Sequence, residues 1–119
     1  MPESPTLKHE LLRKSIIKWH RVAMGKQADE GTGDCALCQQ YYDYGCHGCP
    51  VAEYTGQADC EGSPHEKWSI EVVRKMRSQK KFHRFHSIRV GTKDRALRDA
   101  AIAMKAFLQK LLKDEEKKA

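Results

Sequence analysis

Between residues 7 and 26 the apolar side chains Leu12, Ile16, Trp19 and Ala23 recur at intervals of four, three and four. That spacing puts them on one helical face, and Leu11 and Val22 widen the stripe. Ser4-Pro5 reads as the helix start and Gly25 as its stop. Near the other end, Leu97, Ala101, Met104, Leu108 and Leu111 repeat at 4-3-4-3 and predict a helix over 93–114. Thr92 is its expected cap, with Asp94 in the first turn. A third helix is expected over 64–79, with Trp68, Val72 and Met76 on one face and Val73 beside them. Ser63 would be its N-cap, Pro64 its first residue and Glu66 the reciprocal capping-box partner. Residues 79–92, with Phe82, Phe85, Ile88 and Val90, suit either a helical continuation or a short extended piece. The last residues, 114–119, are expected to fray.

The middle of the chain has no such period. Asp29–Asp34 reads as a flexible approach, and residues 34–65 are short, Gly-punctuated and rich in Cys and Tyr. A segment of this kind cannot build a conventional core, so a metal must organise it. The expected architecture is mainly α, a single small domain over 1–119. Amphipathic N- and C-terminal helices would enclose a Cys-rich metal-binding loop region. The C-terminal helix is long enough to pack antiparallel on the first one, or on a second copy of the chain as a homodimer.

Composition sharpens this picture. Hydrophobic residues are 39% and charged residues 32%, so there is little apolar surface to offset chain entropy and a staple is needed. No apolar run approaches the roughly 18 residues of a membrane span, and the charged N-terminus lacks the apolar stretch of a secretory signal. The expected compartment is the cytoplasm, where thiols persist and paired cysteines more often bind metal than form disulfides. Five cysteines also fit a disulfide framework poorly.

The cysteines read Cys35-Ala-Leu-Cys38, then Cys46-His-Gly-Cys49-Pro50, and later Cys60. Two residues between cysteines let both thiolates reach one ion while the turn between them offers backbone N–H groups to sulfur. Two such knuckles supply the tetrahedral set that Zn²⁺ prefers. The expected ligands are four of Cys35, Cys38, Cys46, Cys49 and Cys60, with Zn²⁺ as the metal. An iron–sulfur cluster is the alternative, because Cys49-Pro50 matches the Cys-Pro after the last ligand of many ferredoxin-type clusters. His47 and His65 read as surface or cap neighbours rather than ligands. Tyr41, Tyr42, Tyr44 and Tyr54 are expected to pack over the metal loops. Neither pair sits between a strand and a helix, which weighs against a thioredoxin-like redox motif.

Taken in order, CALC, CHGCPV, Thr55-Gly56 and Cys60-Glu-Gly-Ser-Pro64 resemble a group of small proteins from tailed phages and prophages. Their pattern runs CxLC, CxGCPV, TG and CxGTP after an amphipathic helix with a Trp, and Leu11–Gly25 with Trp19 looks like that helix. The likeness covers about residues 10–65. Ser63 stands where Thr is usual, and His65 where an aromatic often follows. The resemblance implies a phage or prophage origin, hence the host cytoplasm, and a compact Cys-centred domain. It implies no reaction, since the family is largely without assigned function.

The net charge of +6 is unevenly spread: residues 1–34 carry +1, residues 35–65 carry −4, and residues 66–119 carry +9. Between Arg74 and Arg98 there are ten Lys/Arg against one acid, Asp94. Charge this concentrated points to a polyanionic partner. Arg74, Lys75, Arg77, Lys80, Lys81, Arg84, Arg89 and Lys93 would neutralise phosphates, while Phe82, Phe85, His83 and His86 could stack on bases. The bland alternative is a solvated helix face with its Phe residues turned inward. The expected function is that of a zinc-containing binding protein acting on nucleic acid or on nucleic-acid-processing machinery. The alternative is a protein-interaction factor that inhibits or redirects a host enzyme or defence system. No catalytic residue is assigned: a closed Cys set leaves no open metal position, and no nucleophile elbow or phosphate-cradling loop is present.

Overall fold

The computed structural model describes residues 5–29, 35–41, 46, 48–57, 60–79 and 89–118. They form five helices: α1 (Pro5–Ala23), α2 (Ala36–Tyr41), α3 (Pro50–Thr55), α4 (His65–Gln79) and α5 (Arg95–Lys118). No strand forms among the described residues, in keeping with the mainly α expectation.

The frame is the pair α1 and α5. Late α1 meets early α5 where His20 Nδ1 lies 3.0 Å from Lys105 Nζ. Mid α1 meets late α5 where Arg13 pairs with Glu116. Position falls along one helix as it rises along the other, so the two are antiparallel. The contact surface is apolar. Leu12, Trp19 and Val22 from α1 join Leu97, Ala101, Met104, Leu108 and Leu111 from α5 in one buried cluster, which Trp68, Val51, Leu37 and Tyr41 complete. Every α5 position expected to be buried is buried. On α1 the stripe is rotated: Ile16 is only partly covered, while Ser15 and Lys18 are buried in its place. On α4, Val73 is exposed and the inward place goes to Glu71.

The ends of the helices follow local chemistry. After α1, Gly25 donates to the Val22 carbonyl and Lys26 to the Arg21 carbonyl, the paired bonds of a Schellman stop. Gly25 has φ 72°, and a Cβ there would lie 2.7 Å from the Val90 carbonyl oxygen, so only glycine fits. Before α4, the Ser63 hydroxyl accepts the His65 N–H. Glu66 reaches back to the Gly62 N–H rather than to that of Ser63, one residue beyond a strict capping box. Asp94 stands just before α5 rather than in its first turn, and its carbonyl accepts the Arg98 N–H. Its carboxylate takes the Gly91 N–H at 2.8 Å. α5 continues through Lys118 instead of fraying after residue 114.

The two short helices α2 and α3 were not anticipated. Each begins at the residue after a cysteine, and the Pro50 that marks α3 is at its first position, where a missing N–H is harmless.

Candidate metal centre

Cysteine placement is built from these turns upward. Cys35 precedes α2, its carbonyl accepting the Gln39 N–H at 2.9 Å and its sulfur the Cys38 N–H at 3.4 Å. Cys49 precedes α3 in the same way, its carbonyl accepting the Glu53 N–H at 2.9 Å. The Cys49 sulfur faces the N–H groups of Val51 and Ala52. In the first pair the turn between the cysteines turns an N–H toward sulfur, as the spacing predicts; in the second, the N–H groups at the Cys49 sulfur come from the start of α3 instead.

Cys46 and Cys60 are held differently. Both have positive φ, 63° and 60°, a conformation that residues other than glycine seldom adopt. The Cys46 turn is pinned by its N–H on the Tyr41 carbonyl and by the Cys49 N–H on its own carbonyl. Gly48 lies beside the Tyr41 ring with φ 86°, a conformation that favours glycine. The Cys60 carbonyl accepts the Ser63 hydroxyl at 2.6 Å and the Ser63 N–H at 3.2 Å. One residue thus ties the last cysteine to the start of α4.

These turns bring all five thiols to the wall of one cavity of about 190 Å³. Ser15, Lys18 and Trp19 of α1, Tyr41, His65 and the α5 residues Met104 and Leu108 line the rest. Among the described residues, no group of three or more Cys, His, Asp or Glu side chains is placed to hold one metal ion. The five thiols border this space, and two of them, Cys35 and Cys38, share a hydrogen bond.

The electrostatics are those of crowded thiols. Cys35 is pulled down to about 6, chiefly because the Cys38 thiol donates to it, with the Cys38 N–H and Lys18 assisting against burial. Cys38 is pushed up for the reciprocal reason, since it keeps the shared proton, and burial adds to this. Cys60 is pushed up to about 12 by burial and by the neighbouring Cys35 and Cys49. Burial also raises Cys49 and lowers His65, so the imidazole is held neutral. A buried cation would reverse this order, because a coordinating thiol is deprotonated outright. The donor set suits a cysteine-held metal group: five soft donors border one space, backbone N–H groups face the sulfurs of Cys35 and Cys49, and Lys18 stands near. The Ser15 hydroxyl, 1% exposed, has no hydrogen-bond partner among the described residues.

A buried ion pair closes the rear of the site. Lys18 Nζ lies 2.8 Å from Asp29 Oδ1 and 4.9 Å from the centre of the Trp19 ring. Trp68 Nε1 donates to Asp29 Oδ2 at 2.8 Å, and the Trp68 and Trp19 rings meet edge to face at 5.2 Å. Asp29, expected in a flexible approach, is a buried anchor. Sequence reasoning missed Ser15, Lys18 and Asp29. A signal existed for the first two, since Leu11, Ser15, Lys18 and Val22 also recur at 4-3-4. Asp29 carried none.

Other expected site residues separate into groups. His65 lines the cavity, edge-on to Trp19, rather than standing at the surface. Tyr41 lines the thiol cavity as expected, but Tyr54 is exposed and meets Phe107 edge to face. His47, Tyr42 and Tyr44 lie outside the described residues. So do Lys80, Lys81 and Arg84 of the basic segment, with Phe82, His83, Phe85 and His86. Lys75 is committed within the protein, at 2.5 Å from Asp94 and 3.3 Å from the Arg89 carbonyl. Arg74 pairs with Glu71 yet remains largely exposed, and Arg77, Arg89 and Lys93 are exposed. Lys75 and Asp94 join the end of α4 to the start of α5, so these cations share one end of that helix pair. Comparison with protein-family profiles, curated proteins and solved structures finds no match to this chain, so its site is read from its own geometry.

Proposed function

We propose that this protein is a binding module with two parts: a cysteine-held metal centre that organises its middle, and a basic end that engages nucleic acid. The observation that carries the nucleic-acid reading is the treatment of Asp94. It is the single acid between Arg74 and Arg98. Lys75 and the Gly91 N–H occupy its carboxylate, and this holds its pKa below the usual carboxylate range. Arg74, Lys93 and Arg95 border the same surface hollow as Asp94 and stay solvent-facing, as do Arg77 and Arg89. The local field is therefore positive, with no free acid in that stretch to cancel it, and a phosphate backbone is the natural complement. The resemblance to phage and prophage proteins supports a small accessory factor of the host cytoplasm.

Anisotropy titrations of duplex and single-stranded DNA and RNA at two salt concentrations test this. Affinity is expected to fall steeply with salt as bound phosphates release counterions. The quadruple change Arg74→Gln, Arg77→Gln, Arg89→Gln and Lys93→Gln should weaken binding to all sequences alike. On duplex DNA it should flatten the salt slope by about 0.9 for each phosphate no longer neutralised. No binding at low salt would sink this reading. Loss of a host protein partner by the same variant would then favour an interaction factor.

A further inference from the structure

We infer that the five-cysteine cavity is the seat of a polynuclear iron–sulfur cluster of the [4Fe–4S] class, not of a single zinc ion. This rests on the cysteine-held metal centre proposed above and names its occupant.

The first argument is size. Thiolates about 2.3 Å from one zinc ion stand only about 3.8 Å from one another and leave no void between them. Here the thiols border about 190 Å³ of space, and no three of the described donors close on one point. An apolar void on the order of 150 Å³ takes a guest as large as benzene. The cavity is thus scaled for a cube of iron and sulfide, with cysteines reaching in from different sides.

The second argument is the direction of approach. Cys35 comes from the residue before α2 and Cys38 from within it, Cys46 and Cys49 from the turn into α3, and Cys60 from the turn into α4. Two of them, Cys46 and Cys60, accept a positive φ in doing so. Unfavourable backbone at two thiols on one cavity indicates a clamp rather than incidental packing. A cluster needs four thiols, each of which releases its proton on binding iron, so five leave one thiol in reserve.

The third argument is the hydroxyl of Ser15. It is buried, borders the cavity and is without a partner among the described residues, a costly condition for a polar group. Inorganic sulfide or a cysteine sulfur of the cluster would accept its hydrogen. Hydrogen bonds to cluster sulfur favour the reduced, more negative state and so raise the reduction potential.

The test is elemental and spectroscopic, on the full-length chain purified without oxygen. Iron and acid-labile sulfide in equal amounts, broad visible absorption and a paramagnetic signal on reduction are expected. Ser15→Ala should keep its iron and sulfide but show a more negative midpoint potential. Cys60→Ser, which leaves both CxxC pairs intact, provides a second variant if the serine change does not fold. It should retain a cluster or lose its iron, but should not become a zinc protein. One zinc per chain with no iron would overturn the inference while leaving the metal-centre reading standing. Neither metal would overturn both. An unchanged potential in a loaded Ser15→Ala protein would remove the serine from the cluster's surroundings.

Discussion

The α1–α5 pair and the cysteine-lined middle are held together by different physics. The helix pair buries apolar side chains at regular intervals, and each residue gains from neighbours three and four positions away as well as across the interface. The middle has two helices of six residues each, joined by tight turns, and directs its thiols toward a shared space. Helices that short are unstable alone, because nucleation costs more than a turn of hydrogen bonds returns. The helix pair carries its own apolar interface. The middle needs that frame behind it and, on the reading proposed here, a metal group inside it.

The contrast is broken most sharply by withdrawing the proposed metal. Chelation should bring amide exchange in 35–41 and 50–57 close to the unfolded rate, while α1 and α5 keep most of their helical circular dichroism. Unchanged protection in the middle would mean that packing alone organises it. Because bound thiols must lose their protons, and burial raises Cys49 and Cys60, metal retention should weaken as pH falls.

A smaller effect tests the link between the two regions. Lys18→Met would leave the Asp29 carboxylate buried without its cation, at an expected cost of about 3–5 kcal/mol in urea unfolding. Adding Asp29→Asn should recover part of that loss. A single variant within a few tenths of wild type would show that Asp29 is not anchored by Lys18.

The smallest effect lies at the basic end. Asp94→Asn removes the pair with Lys75 and should cost about 0.5–1 kcal/mol, since both side chains are partly exposed. Because the folded-state pKa of Asp94 lies below its ordinary value of 3.8, its contribution is present above that pH. It is lost as pH falls through the lower folded value. The variant should therefore lose less stability than wild type on acidification across that window. Nucleic-acid affinity should rise slightly, because one negative charge is gone.

Much of the frame was legible in the chain. The 4-3-4-3 repeat of Leu97, Ala101, Met104, Leu108 and Leu111 coincides with the buried face of α5, because helical period and burial are the same geometric fact. The stop at Gly25 and the start at Ser63 were legible because caps act over a few residues. The cysteine spacing made it plain that thiols would gather. It could not give the size of the space between them, since that depends on where α1 and α5 place Ser15, Trp19, Met104 and Leu108.

What the sequence by itself determined, then, is what arises locally: which segments are helical, where they stop, and which thiols share a turn. Tertiary structure decided which of two overlapping α1 stripes faces inward, and with it that Lys18 is buried, because its partner Asp29 arrives from beyond the helix end. It also decided that His65 would line the cavity rather than face water, and that Lys75 would be occupied by Asp94 from nineteen positions away. A buried charge is tolerated only where an opposite one is delivered to it, and the chain pattern near either residue does not contain that delivery.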